Sequence, residues 1–129
     1  RSTALIVFQA PTKASAQDVE TYSYGACMWF AIAAHERLGW PLEVVLDEAG
    51  WISHAWVRRP DGRTLDVAGL DGAEDFILTP TEVRSVDVEQ LLALTQGPRN
   101  EEMIQDAHRV LDSMGLVAPS RSVKRSFSS

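Results

Sequence analysis

The chain reads as an α+β domain in which a cysteine-bearing helix packs on a small antiparallel sheet, with further helices toward the C-terminus. Three observations predict this. Cys27, Phe30, Ala31, Ala34 and Leu38 recur at i, i+3, i+4, i+7 and i+11, which is one face of an α-helix. Two β-rich runs at 53–59 and 63–67 flank the turn sequence Pro60-Asp61-Gly62. Ile104, Ala107, Val110, Leu111 and Met114 form a second helical stripe. With 129 residues and 45% apolar composition, the chain has material for one core. A single domain over 1–116 is expected, followed by a basic, Ser-rich, flexible tail at 117–129.

Taken in order, the run at 4–8, Ala-Leu-Ile-Val-Phe, predicts an N-terminal strand, and the polar stretch 12–17 a loop or the approach to a short helix. A helix is expected over 25–38, with Gly39 placed to end it and Pro41 unable to continue it. Residues 42–46 then read as a strand, and 47–52 as a loop around Gly50. After the hairpin, 70–78 has no clear period. A helix is expected over 86–95, with Val88, Leu91 and Leu92 inward and Val86 a further candidate for that face. A stronger one is expected over 100–114, where Asn100 suits the N-cap, Glu101 and Glu102 suit the positive helix start, and Gly115 suits the stop.

Bulk properties narrow the function. A net charge of -6 argues against nucleic acid as the main partner, because phosphate binding requires a clustered positive field. The tail is the local exception, with Arg121, Lys124 and Arg125 and no acid. No apolar run approaches the roughly 18 residues of a membrane span. The single cysteine, Cys27, cannot form an intramolecular disulfide, so its thiol is free for chemistry.

The turn residues carry the functional argument. Pro60 and Asp61 suit the central positions of a type I turn, and Gly62 suits the left-handed residue of a G1 bulge. That three-residue loop pairs Arg59 with Arg63 and sets His54 opposite Ala68. His54 and Asp66 then share a face as diagonal neighbours, while Ala55, Val57, Leu65 and Val67 take the other. A two-residue Asp61-Gly62 turn would put Asp66 on the face away from His54. A thiol at a helix start, a base on one strand and a carboxylate on the next suit covalent acyl chemistry: Cys27 as nucleophile, with the positive helix end and an imidazolium favouring its thiolate, and Asp66 orienting His54. Singly, each residue has a plainer reading: Cys27 as packing, His54 as a core histidine, Asp66 as a hairpin-end carboxylate bonded to backbone.

These same residues carry a family resemblance. Gly25-Ala26-Cys27, the helix ending at Leu38-Gly39 with Pro41 after it, His54-Ala55-Trp56-Val57 and Leu65-Asp66 resemble the core of the transglutaminase-like branch of papain-like cysteine enzymes. About a third of the chain is covered. The resemblance implies a papain-like fold, with Cys27 as nucleophile, His54 as general base and acid, and Asp66 as the orienting residue.

An oxyanion hole requires further donors. The Cys27 backbone N–H is the first candidate, and Gln9, Gln17, Ser23 or Tyr24 are the nearby side chains considered for the second. Trp29 and Trp56 are expected to line an acyl groove, and Trp51 to wall it if exposed. His35, about 80° off the Cys27 face, is expected to point to solvent, and His108 to lie at the surface. Cys27, His35 and His54 lack the close ligand pair of a metal site, so neither metal nor cofactor is expected.

The expected function is therefore a cysteine-dependent amide acyl-transfer enzyme: a peptidase, deamidase or transglutaminase-like hydrolase working through a thioester. Its partner would be a protein or peptide carrying an amide side chain or peptide bond, with no nucleic acid and no membrane. The expected setting is cytoplasmic, or delivery as part of a larger secreted effector or toxin. The alternative is a non-catalytic module that keeps the fold and binds a peptide in a Trp-lined groove.

Overall fold

A computed structural model describes residues 12–23, 26–95 and 97–116; the strand expected at 4–8 and the tail at 117–129 lie outside them. The described residues form an α+β domain with elements α1 (Ala16–Ser23), α2 (Cys27–Leu38), β1 (Leu42–Leu46), β2 (Ile52–Arg58), β3 (Thr64–Asp66), β4 (Gly69–Leu70), 3₁₀ turns at Gly72–Phe76 and Pro80–Glu82, β5 (Val83–Val86), α3 (Val88–Thr95) and α4 (Glu101–Ser113). The five strands make one sheet in the order β4-β3-β2-β1-β5, with every pairing antiparallel.

Alternation along the strands gives the sheet two buried faces. Leu42 and Val44 of β1 pair with Val57 and Ala55 of β2, and Val57 pairs with Leu65 of β3. These side chains join Val67, the α2 residues Cys27, Phe30, Ala31 and Ala34, and the α4 stripe in the main core. The second face carries Val45 and Trp56, which pack with Ala73, Phe76, Ile77 and Val83. The sheet is therefore covered by helices on one side and by the segment after β4 on the other, and a strand buried on both faces requires its polar side chains to find partners. Glu43 meets this requirement: one oxygen accepts from Trp56 Nε1 at 2.9 Å, and Arg58 Nε bonds the same carboxylate at 2.9 and 3.0 Å.

The helix boundaries follow local chemistry. Gly39, at φ 76°, takes the left-handed position after α2 and donates its N–H to the His35 carbonyl at 2.8 Å. Asn100 caps α4 by accepting from the Met103 N–H at 3.1 Å, and Ile104, Ala107, Val110, Leu111 and Met114 are all buried. The helix expected from 86 starts at Val88 instead, because 83–86 is recruited as the edge strand β5, where Val86 pairs with Leu42. Asp87 and Gln90 mark that start reciprocally: the Gln90 N–H donates to Asp87 Oδ1 at 2.7 Å and the Asp87 N–H to Gln90 Oε1 at 2.9 Å.

Candidate active site

The hairpin loop has the geometry its residues favour. Gly62 N–H donates to the Arg59 carbonyl at 2.8 Å, closing the turn over Pro60 and Asp61, and Arg59 N–H donates to the Arg63 carbonyl at 2.7 Å. Gly62 has φ 93°, the left-handed conformation of a G1 bulge. Asp61 braces the loop from within, accepting from the Arg63 N–H and from the Arg59 guanidinium. The ladder then runs Arg58 with Thr64 and Val57 with Leu65. Strand β3 ends at Asp66, and Val67 and Ala68 turn the chain into β4, so the strand expected to 67 stops one residue earlier and the expected pairing of His54 with Ala68 is not part of the ladder.

This register brings His54 and Asp66 together. His54 Nε2 donates to Asp66 Oδ2 at 2.7 Å, and Asp66 Oδ1 accepts the Ala68 N–H at 2.9 Å. Both side chains are almost fully buried, at 1% and 6% exposure. The imidazole is stacked on Phe76, with ring centroids 4.0 Å apart and planes 20° apart, and it lies 5.9 Å from the Trp56 ring. A bulge immediately precedes it: Val45 pairs with His54 but Leu46 pairs with Ile52, so Ser53 is an extra residue on β2. The insertion turns Ile52 toward the main core while His54 stays on the second face. Bulges commonly re-aim a side chain beside a site.

Cys27 is the first residue of α2 and is buried, and its side chain adjoins the His54 ring. The helix itself packs on the Ala55–Val57 face, opposite the one bearing His54 and Asp66. Thiol and imidazole thus meet near the starts of α2 and β2. His54 Nδ1 is buried and has no aligned hydrogen-bond partner, so its contact with the thiol is one of proximity. Burial of the ring opposes its protonation, but the bond to Asp66 and the adjoining Cys27 outweigh it, and His54 is pushed up to about 9.

At the helix start, Ala26 provides no side-chain cap, and the Trp29 N–H turns back to the Ala26 carbonyl at 3.0 Å. Backbone N–H groups of this first turn are the natural anion-binding donors beside the thiol. The groove residues fare differently. Trp56, expected to line the groove, is completely buried with its N–H on Glu43, so it is core and not groove, because the segment after β4 covers that face of the strand. Gln17 is exposed at the start of α1, its side chain hydrogen-bonded to no described residue. Tyr24, Gly25 and Gln9 lie outside the described residues, and Ser23 ends α1 ahead of them. Trp29 is half-buried and lines a cavity of about 630 Å³ with Met28, Thr95 and the 97–102 segment. Trp51 is 49% exposed.

A second cavity, of about 450 Å³, is lined by neighbours of the histidine and not by His54 itself. Ser53 precedes His54, Val45 pairs with it and Phe76 stacks on it, and all three line this space with Leu46, Leu78, Asp47, Glu48 and Glu82. Phe76 was not singled out in the sequence, because 70–78 shows no period from which to place an aromatic. The two remaining histidines lie apart from the site. His35, expected to face solvent, is instead half-buried, with Nδ1 2.7 Å from the Trp40 carbonyl, closing the turn after α2. His108 is half-buried on α4, and burial lowers its pKa, followed by the nearby Arg37.

Among the described residues no group of three His, Cys, Asp or Glu side chains is placed to hold a metal ion, and no helix is long and apolar enough to cross a membrane. Comparison with protein-family models, with curated proteins and with solved structures finds no match to this chain.

Proposed function

We propose that the chain is a cysteine-dependent amide acyl-transfer enzyme with a papain-like, transglutaminase-like arrangement of Cys27, His54 and Asp66. The observation that carries the reading is the buried His54–Asp66 bond at 2.7 Å with the second ring nitrogen left unbonded beside the Cys27 thiol. An imidazole anchored through Nε2 has Nδ1 available for proton transfer, and the ring adjoins Cys27, the one cysteine of the sequence.

In this reading His54 Nδ1 takes the Cys27 proton, and the resulting imidazolium is stabilised by Asp66. The thiolate adds to the carbonyl carbon of an amide, and the oxyanion is received by first-turn N–H groups of α2. Collapse breaks the C–N bond, the leaving amine takes the proton from His54, and an acyl-thioester remains on Cys27. Water or an amine then adds to the thioester, giving its proton to His54; the C–S bond breaks, and the proton returns to the thiolate. Hydrolysis, deamidation and transamidation are the same sequence with different acyl donors and acceptors. His54 is pushed up to about 9 by Asp66 and the adjoining Cys27 against the opposing effect of burial, which favours the imidazolium that this sequence of steps forms.

A binding module that keeps the fold is the second reading, and the near-complete burial of Cys27 and His54 favours it. Iodoacetamide kinetics separate the two. A free thiol of pKa about 8.5 is only about 0.3% thiolate at pH 6. The enzyme reading expects Cys27 to react faster than a model thiol at that pH, and His54→Ala to remove the advantage. Slow reaction indifferent to His54 would support the binding module. Trapping an acyl group on Cys27 from a peptide library, read by mass, would identify the donor.

A further inference from the structure

We propose that the 3₁₀ turn Gly72–Phe76 is the positioning element of this site: Gly72 keeps open the space that the Asp66 carboxylate occupies, and Phe76 fixes the plane of the His54 ring. The inference rests on the Cys27–His54–Asp66 reading and extends it to two residues outside that triad.

Gly72 is not a glycine of conformational necessity. Among the described residues the glycines at positive φ are Gly39, Gly50, Gly62, Gly69 and Gly115, and Gly72 is not one of them. An alanine would suit its backbone, yet a Cβ there would overlap Asp66 Oδ1 and lie 3.0 Å from the Ala68 Cβ and 3.1 Å from Asp66 Cγ. The missing side chain is therefore explained by the neighbouring carboxylate. Asp66 is held on three sides, by the His54 ring through Oδ2, by the Ala68 N–H through Oδ1 and by the bare backbone of Gly72.

Four residues further on, Phe76 lies flat on the imidazole. Rotation of a histidine ring about its last torsion is intrinsically broad, so one hydrogen bond does not fix its plane. A stacked ring on its face does, and with the plane fixed, Nε2 meets Asp66 while Nδ1 stays toward the thiol. The turn is itself well anchored. Asp71 N–H donates to the Thr64 carbonyl at 2.8 Å, Arg63 pairs with the Asp71 carboxylate at 2.7 Å, and Ala73 is fully buried against Val45 and Trp56. The titratable groups bearing on His54 are Cys27 from α2 and Asp66 from β3; the acids of the turn, Glu74 and Asp75, are exposed.

The test uses the full chain with Gly72→Ala, Phe76→Leu and Phe76→Tyr, following the His54 ring by NMR titration, thermal unfolding, and Cys27 alkylation at pH 6. Gly72→Ala is expected to lower the His54 pKa by about one unit or more, since it displaces the carboxylate that holds the charged form. Phe76→Leu keeps an apolar, smaller side chain without a stacked ring and is expected to slow alkylation about three- to tenfold, with Phe76→Tyr restoring it. In an Asp66→Ala background, Gly72→Ala should lower the His54 pKa no further. The proposal is overturned if Phe76→Leu and Gly72→Ala leave the His54 titration and ring signals unchanged, or if the Gly72 and Asp66 effects add. Should Gly72→Ala fail to fold, Phe76→Leu against Phe76→Tyr decides the matter alone. Failure of the enzyme reading is distinct: His54→Ala would then leave alkylation unchanged, while the His54 titrations would still report on positioning.

Discussion

His54 and Asp66 are bonded at 2.7 Å although they are not cross-strand partners; Asp66 lies one step diagonal to His54 in the β2–β3 hairpin. The bond depends on the three-residue loop, because a register shifted by one residue would turn Asp66 to the other face. Gly62 holds that loop at φ 93° with nothing within 4 Å of a would-be Cβ. Gly62→Ala should therefore cost about 1–2 kcal/mol through backbone strain alone. Urea unfolding measures it, and an unchanged midpoint would show that the left-handed bulge does not set the register.

Stability should depend on pH through His54. Its folded pKa, about 9, lies above the ordinary 6.5. A raised pKa means that the folded state binds the proton more tightly, so the contribution is fully present below pH 6.5 and is lost as pH rises toward 9. The unfolding free energy attributable to this group should fall across that window, and His54→Gln should flatten the curve there. Denaturant titrations from pH 6 to 9.5 on both proteins check the sign.

Removing one partner of the buried pair should be expensive. Asp66→Ala leaves a buried imidazole without the acceptor of its Nε2–H and is expected to destabilise the fold by about 3–5 kcal/mol. The His54 pKa should drop in the same variant, since burial then opposes protonation with less to offset it. Asp66→Asn keeps the shape and a carbonyl acceptor, so it should cost less stability while still lowering the pKa. Equal titration of His54 in all three proteins would contradict this account.

Trp56 offers a contrast between core and groove. Its indole N–H is buried on Glu43 at 2.9 Å, with Arg58 bonded to the same carboxylate. Trp56→Phe should cost about 1–3 kcal/mol, through the lost hydrogen bond and the less satisfied buried acid. Thermal and urea unfolding report this directly. A variant as stable as the parent would mean that the Glu43 carboxylate is satisfied by Arg58 alone.

Much of the architecture was legible in local sequence because its causes are local. The apolar face of α2, the stop at Gly39, the Asn100 cap and the α4 stripe each depend on residues within a few positions of one another. The hairpin register was legible for the same reason, since turn chemistry and alternation point to one pairing. Strand β5 was not. Its two middle residues, Arg84 and Ser85, are exposed on an edge strand, and only the neighbouring β1 pairs the backbone. The capping pair Asp87 and Gln90 was a signal present in the sequence that would have moved the α3 start to Val88.

The sequence by itself determined the candidate triad's members and the sharing of one face by His54 and Asp66, because a hairpin's register is set within a dozen residues. Tertiary structure alone decided which side of the sheet the helices cover, and hence that Cys27 reaches His54 from the starts of α2 and β2. It also decided that Trp56 is core, and that the unpatterned stretch after β4 folds back to place Gly72 against Asp66 and Phe76 on His54. Contacts between segments distant in the chain follow from the packing of two buried sheet faces, and no local period or propensity encodes which segment will cover each.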